Sequence, residues 1–218
     1  MGFFQQLKTA TEEDRAGLLA IPVLQDGAQG RISLPTYRAF LAEAYHHVKH
    51  TVPLLMACGA RLPERHEWLR EAVGEYIQEE SGHHEWILND IHACGGDAEA
   101  VRAGQPASAT DVMVAYAWDT VQRRNPVGFF GMVLVLEGTS VALASQAAER
   151  LRETLDLPES ATTYLSSHGA LDIDHIAYFE RLMDRLEEPA DQAAVTHCAR
   201  MMYRLYGDVF RSLPHPAP

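Results

Sequence analysis

One stretch of the sequence restricts the possible folds more than any other. Residues 125–148, NPVGFFGMVLVLEGTSVALASQAA, contain a single charged residue, Glu137. The stretch is long and apolar enough to be considered as a membrane span, but a charge near the middle of a span is costly. A buried helix of a helical bundle explains the pattern better. On such a helix Glu137 lies on an apolar stripe with Val133, Leu134, Val141 and Ala144. No opposite charge lies within a turn of Glu137, so its carboxylate needs a partner from another helix.

Signals for helices recur along the rest of the chain, whereas signals for strands are nearly absent. No Asn-Gly or Asp-Gly pair is flanked by alternating apolar residues, and no run is rich in Val, Ile and Thr. Capping residues or prolines precede the apolar runs, and glycine or proline follows several of them. These signals predict an all-α bundle of about seven helices, at about 3–20, 34–58, 63–94, 108–123, 126–155, 158–187 and 190–212. The 218 residues fit one domain, 1–218, and we expect the segment 213–218 to be frayed.

The charge balance and the cysteines limit the function. The formal net charge of −12 repels nucleic-acid phosphates and anionic lipid surfaces. Cys58, Cys94 and Cys198 are an odd number without a CxxC pair, which predicts neither a disulfide framework nor a zinc-thiolate site. The amino-terminal residues lack the basic start and apolar run of a secretory signal. We therefore expect a cytoplasmic protein that acts on a small molecule, without a nucleic-acid or membrane partner.

The segment SSHGALDIDHIAYFE, residues 166–180, places three polar residues on one helix face. In a helix, each residue turns the side-chain direction by about 100° around the helix axis. His168, Asp172 and His175 therefore share the apolar stripe that continues at Phe179. Asp174 falls on the far side. A lone inward histidine is usually satisfied by a backbone hydrogen bond, but three inward polar groups within two turns favour pairing or a metal.

A second polar cluster lies in YIQEESGHHEW, residues 76–86. Glu80 falls on the apolar face of this predicted helix, whereas Glu79 lies about 100° away. Glu80 and His83 form an E-x-x-H pair, the spacing of iron ligands in four-helix-bundle carboxylate proteins. The position of the apolar stripe does not decide whether His83 or His84 is the ligand.

The candidate ligands together are three carboxylates and three imidazoles from three helices: Glu80, His83, Glu137, His168, Asp172 and His175. Mixed nitrogen and oxygen ligands without thiolates suit iron or manganese better than zinc. Six ligands are enough for two metal ions that keep open positions.

These segments resemble the heme-oxygenase-like diiron oxidases, a family that includes TenA/PqqC-like proteins and iron-containing redox enzymes. The resemblance extends from AEAYHHVKHTVPLL through EESGHHEW and LEGTS to HGALDIDHIAYFE. It implies a seven-helix heme-oxygenase-like fold and the six ligands above for two iron ions, with Glu79 or His84 as alternatives in the first pair. It also implies a site that takes up Fe(II), reacts with O2 and oxidises a small molecule of the amino acid or fatty acid type. The electrons would come from a reductase, a small reductant or the substrate.

The histidines of YHHVKH and several large side chains are candidates for the surroundings of the site. His47 lies on the apolar face of its predicted helix, with His46 and His50 to either side. For His47 we favour a hydrogen-bonded structural role over a role in a pocket. The candidates for pocket lining are Phe129, Phe130, Met132 and Trp86, residue types that are more often plain core.

Three other functions remain open. A TenA-like hydrolase of thiamine-related compounds is metal-free and relies on a cysteine nucleophile, but no cysteine here lies in a segment that matches it. Heme binding needs a proximal histidine on the first helix, and the first histidine of the chain is His46. A non-enzymatic binding or regulatory protein would carry the polar cluster without a metal. A homodimer is compatible with each of these functions.

Overall fold

The computed structural model of the chain describes residues 1–215, except for the side chains of residues 168–175. The described residues form twelve α-helices and no strand. The helices are α1 (Phe3–Ala10), α2 (Glu12–Leu19), α3 (Pro22–Ala28), α4 (Leu34–Val48), α5 (Thr51–Arg61), α6 (Glu67–Glu80), α7 (His83–Ala93), α8 (Ala98–Ala103), α9 (Ser108–Arg123), α10 (Phe130–Leu155), α11 (Thr163–Asp184) and α12 (Pro189–Ser212). Short 3-10 turns occur at Glu64–His66, Pro126–Phe129 and Glu159–Ala161.

The all-α class is confirmed, but several predicted helices are divided. The predicted helix 3–20 breaks at Thr11, whose side-chain hydroxyl donates to the Leu7 carbonyl oxygen at 2.9 Å. The predicted helices 34–58 and 63–94 are also each split in two. The short helices α3 and α8 lie in segments where the sequence predicts connections.

Helix α10 forms the centre of the core. Together with the turn before it, it is the one helix in the described part of the chain that is long and apolar enough to cross a membrane, and most of that window is buried inside the protein. Its apolar side chains join a continuous core with residues of α4, α6, α7, α9 and α12. The apolar stretch 125–148 therefore serves as a core helix, as its central acid predicts.

Helices α10 and α12 approach each other closely at Gly131. A Cβ atom at this position would lie 2.5 Å from both the Ala199 nitrogen and the Val195 carbonyl oxygen. No side chain fits at that distance without a shift of the backbone. Gly131 thus sets the spacing of the two helices, and with it the position of the Glu137 turn of α10.

A buried carboxylate joins the start of α12 to the segment before α10. Asp191 accepts hydrogen bonds from Asn125 Nδ2 and from the His66 ring Nε2, both at 2.6 Å. Burial of Asp191 raises its pKa, but these two bonds and the charges of His66 and Arg65 outweigh that effect and lower the pKa overall. The cluster fixes where α10 and α12 begin.

The start of α11 is anchored in a similar way. Asp90 of α7 is fully buried, accepts a hydrogen bond from the Thr163 hydroxyl, and accepts a second from the Tyr164 amide at 2.9 Å. Burial raises the pKa of Asp90. The Tyr37 hydroxyl donates to the Ala161 carbonyl oxygen at 2.9 Å. These bonds hold the amino-terminal end of the helix that carries residues 168–175.

The last described residues pack against the body of the protein. Where the sequence predicts a frayed segment over 213–218, Leu213 is buried and the Pro214 carbonyl accepts a hydrogen bond from the Thr36 hydroxyl at 2.6 Å. His215 Nε2 lies 3.1 Å from Asp26 Oδ2 of α3. Residues 216–218 lie outside the described part of the chain.

Replacement of Gly131 by Ala is expected to lower the free energy of unfolding by about 1–3 kcal/mol, because the added methyl overpacks the contact with α12. Gly74→Ala is the matched control, since Gly74 is also helical and a Cβ there meets nothing within 4 Å. The control should be stabilised by about 0.5–1 kcal/mol. Urea unfolding of both variants measures the difference, and equal effects would contradict the close approach.

Asp191→Asn is expected to lower the free energy of unfolding at pH 7 by about 1–3 kcal/mol, because hydrogen bonds to a buried charge are lost. In the folded protein the pKa of Asp191 lies below its ordinary value of 3.8. The contribution of Asp191 to the free energy of unfolding is therefore present above pH 3.8 and disappears as the pH falls through the folded pKa. The difference between wild type and variant should therefore shrink below about pH 4. Asp208→Asn, at a half-exposed site of α12, should change the free energy by less than about 0.5 kcal/mol.

Candidate metal centre

A cavity of about 160 Å³ lies among α3, α4, α6, α10 and α12. Most of its described lining residues are apolar. The acidic residues of the lining are Glu80 and Glu137. Its other polar residues include His47, Tyr76 and Ser140. Two carboxylates from separate helices therefore line one largely apolar space.

Glu137 is buried, with 8% of its surface exposed. It lies on the same face of α10 as Val133 and Ala144, which are also buried and line the same cavity. Val141, predicted on the same stripe, is instead 38% exposed. The predicted burial of Glu137 on an apolar helix face is thus confirmed, although the buried face of α10 is narrower at its next turn.

Glu80 and His83 meet across a turn rather than along one helix. Helix α6 ends at Glu80, Gly82 has a φ of 94°, and α7 begins at His83. The predicted continuous helix over 63–94 is wrong here, because Gly82 takes a left-handed backbone conformation that interrupts the helix. His83 Nδ1 nevertheless lies 3.0 Å from Glu80 Oε2, within hydrogen-bond distance.

The alternative first pair, Glu79 and His84, is more exposed to solvent than Glu80 and His83. Glu79 is exposed and is not part of the described cavity lining. The His84 side chain is 37% exposed, and its Nε2 lies 3.4 Å from Glu85 Oε1. By contrast, the side chains of Glu80 and His83 are 14% and 3% exposed. The structure places Glu80 and His83 inward, and their role as ligands stays a prediction.

The other three predicted ligands, His168, Asp172 and His175, lie outside the residues whose side chains the structure describes. The described parts of α11 on either side contact the cavity region. Tyr164 lines the cavity, and the Tyr178 ring lies 6.1 Å from that of Tyr76. Among the described residues, no group of three or more His, Cys, Asp or Glu side chains could hold a metal ion.

His47 and Tyr76 are polar side chains in the lining of the same cavity. His47 lines the cavity, and its ring packs edge-on against Tyr206 at 5.8 Å. His46, predicted at the side of the helix, is also buried, 3.3 Å from Lys49 Nζ. Burial and then the negative charge of Glu137 raise the pKa of Tyr76, so its hydroxyl keeps its proton.

The cavity walls are only partly those that the sequence suggests. Phe129 and Met132 line the cavity, whereas Phe130 packs against Tyr76, and Trp86 against His83. Three further aromatic residues that were not predicted there also line the cavity: Phe40, Tyr206 and Phe210. The four-residue spacing of Tyr206 and Phe210 marks one helix face, but it does not tell a core face from a cavity wall.

Gly82→Val is expected to lower the free energy of unfolding by about 1–2 kcal/mol, because a branched side chain is strained at positive φ. Gly82→Asn should cost less, since asparagine tolerates this region better. Nothing lies within 4 Å of a Cβ at this position, so crowding does not contribute. Chemical denaturation of both variants measures their free energies of unfolding. Equal stability of the valine variant and wild type would contradict the left-handed conformation of Gly82.

A sequence model of the family described as iron-containing redox enzyme matches residues 38–207. No curated protein sequence gives a significant match.

Solved structures share the fold across nearly the whole chain. A domain of unknown function with a heme oxygenase-like fold from Shewanella denitrificans is 21% identical, with a TM-score of 0.83 over 95% of this chain and 90% of that one. A TenA homologue from Pseudomonas syringae is 14% identical, with a TM-score of 0.79 over 96% of this chain and 91% of that one. Heme oxygenase-1 from a Synechocystis cyanobacterium, in complex with heme, is 10% identical, with a TM-score of 0.74 over 97% of this chain and 91% of that one.

The structural likenesses show a heme oxygenase-like, all-α fold, and the family match extends over most of the sequence. The chain belongs to the family of iron-containing redox enzymes.

Proposed function

We propose that the protein is a non-haem iron oxidase or oxygenase that binds two iron ions and uses O2 to oxidise a small organic molecule. The observation that carries this proposal is the pair of carboxylates, Glu80 and Glu137, in one largely apolar cavity. His83, buried and bonded to Glu80, adds an imidazole. Family membership makes iron the expected metal.

The donor set fits iron. Carboxylates are costly to bury in apolar surroundings, and a divalent cation beside Glu80 and Glu137 offsets that cost. Carboxylate and imidazole together suit iron or manganese, and no cysteine appears in the described lining to favour a thiolate-bound metal. The ligands are therefore of the expected chemical type.

The remaining ligands in this proposal are His168, Asp172 and His175 of α11. The described residues of α11 support it, because Asp90 anchors the start of the helix and Tyr164 lines the cavity. Bound iron would supply the activation of O2 and the oxidising power.

The protein's own residues would bind the substrate and control protons. The apolar side chains of α3, α10 and α12 exclude water from the cavity and bury the substrate. The Tyr76 hydroxyl, whose pKa burial raises, stays a hydrogen-bond donor at neutral pH. His47 presents an imidazole to the same space. Electrons for the reaction would come from a separate donor or from the substrate.

A metal-free, TenA-like hydrolase is the alternative, and the cysteines speak against it. Burial raises the pKa of Cys58 and Cys198 to about 12 and that of Cys94 to about 11. Thiolates are the nucleophilic form, and none of these cysteines belongs to the described lining of the cavity. A cytoplasmic location is part of the same proposal, because all three thiols are free.

The test is an anaerobic titration with Fe(II), followed by metal counting and by rapid mixing with O2 while visible absorbance is recorded. We expect about two iron ions per chain and a transient coloured species. His83→Ala, Glu137→Gln and Asp172→Ala should each weaken iron binding at least about ten-fold.

The matched controls for the titration are His84→Ala and Glu79→Gln, which change the same residue types one position away on the outward side. Both should bind iron like wild type. Absence of iron binding, or equal binding by His83→Ala and His84→Ala, would contradict the proposal.

A further inference from the structure

We infer that Trp86 donates single electrons to the proposed metal centre through the ring of His83 and recovers them from a reductant at the protein surface. The inference rests on the proposed function for the metal and for its reaction with O2. The contact between the two rings and the partial exposure of Trp86 are features of the structure itself.

The rings of His83 and Trp86 are in direct contact. Their centroids are 4.2 Å apart, and their planes are inclined by 34°. Among the ring pairs in the described part of the chain this distance is the shortest, and the next, between Tyr206 and Phe210, is 4.8 Å. His83 and Trp86 are three positions apart in the first turn of α7, where side chains at this spacing are neighbours. The contact therefore follows from the residue at which α7 begins.

Trp86 lies between the proposed site and the solvent. The side chain of His83 is 3% exposed, whereas Trp86 is half-buried. Trp86 is not part of the described lining of the cavity, so its role is not that of a wall against the substrate. His83 Nδ1 lies 3.0 Å from Oε2 of Glu80, which does line the cavity. The contacts thus lead from the solvent through Trp86 and His83 to Glu80.

The chemistry of an indole ring suits this position. The ring can give up one electron without losing its N–H proton, so no base has to lie beside it. Trp86 becomes a radical cation when it gives one electron to the metal centre, and a surface reductant then returns one electron to Trp86. No covalent bond forms or breaks, and the reductant carries the net oxidation. The reductant is a one-electron donor, a class that includes reduced flavins, iron–sulfur proteins and ascorbate.

Other aromatic side chains of the described residues fit this role less well. Trp118 is also half-buried, but its ring lies 6.3 Å from that of His50, which is not a predicted ligand. The Tyr178 ring approaches Tyr76 of the cavity wall to 6.1 Å between centroids. Both distances exceed that between Trp86 and His83. Trp86 therefore has the closest ring contact with a predicted ligand among the described residues.

The experiment loads the full chain anaerobically with Fe(II), mixes it with O2 in the absence of substrate, and freezes samples at successive times for electron paramagnetic resonance. We expect a tryptophan radical in the wild type, whose signal narrows in protein that contains ring-deuterated tryptophan. Ascorbate added together with O2 should shorten the lifetime of this signal, because it returns the electron to the ring. Iron bound per chain is counted in the same samples.

Two substitutions separate electron donation from packing. Trp86→Phe keeps an aromatic ring against His83 but removes the easily oxidised indole, so the radical signal should be lost while iron binding stays as in the wild type. Trp86→Tyr should give a tyrosine radical in its place, since a phenol is also oxidisable. A purely structural role of Trp86 predicts no such difference between the two variants. Trp118→Phe, at another half-buried tryptophan beside a histidine, is the matched control and should leave the signal unchanged.

The outcomes separate this inference from the proposed function. An equal yield of tryptophan radical in the wild type and Trp86→Phe, or no radical in wild type that binds iron and consumes O2, would overturn this inference alone. Loss of the radical in Tyr178→Phe but not in Trp86→Phe would also overturn it, and would assign the route to the tyrosine pair. Absence of iron binding would contradict the proposed function, and this inference with it. If Trp86→Phe does not fold, the radical species formed by Trp86→Tyr decides the question.

Discussion

The burial of Glu137 in the central apolar helix is the constraint on which the site depends. A carboxylate with 8% exposure on such a helix needs charge compensation from neighbouring elements, because water does not solvate it fully. The cavity provides the place for that compensation, since it brings Glu80 from α6 beside the same space. The His83 ring, held by Glu80, lies at the start of α7. The fold thus brings carboxylates from α6 and α10 to one cavity.

Carboxylates also determine where several helices begin. Asp90 holds the start of α11, the Glu43 carboxylate accepts from the Ala107 amide at the start of α9, and Asp184 accepts from the Phe4 amide at 2.8 Å. Each negative charge lies at a helix amino terminus, where the free amides and the helix dipole stabilise it. Because the anchoring residue belongs to a different helix each time, these bonds fix relative helix positions. Some of the acidic residues of this negatively charged chain therefore have a structural role.

The sequence predicts the fold class and the inward direction of Glu137 well, because α10 is one unbroken helix and its period can be read directly. Glu80 and His83 do come together, but the helical reasoning behind that prediction is wrong. The Ser-Gly pair at 81–82 is a local stop signal that ends α6 inside an otherwise helical pattern. His46 illustrates another limit, since a residue at the side of one helix is buried by its neighbours.

The cavity itself could not be predicted from the sequence. Its walls combine Phe40 of α4, Phe210 of α12 and Leu24 of α3 with α10, and their distances depend on how helices far apart in the chain pack. Periodicity identifies the apolar face of each helix, but it cannot tell which faces leave space between them. The close approach at Gly131 is likewise visible only once two helices are placed together.

The most direct test of the account is anomalous diffraction at the iron edge from crystals loaded anaerobically with Fe(II). We predict two iron peaks in the cavity, bonded to the side chains of Glu80, His83 and Glu137 and to residues of the segment 168–175. Iron peaks at Glu79 and His84, or a cavity without iron in protein that binds iron elsewhere, would contradict it.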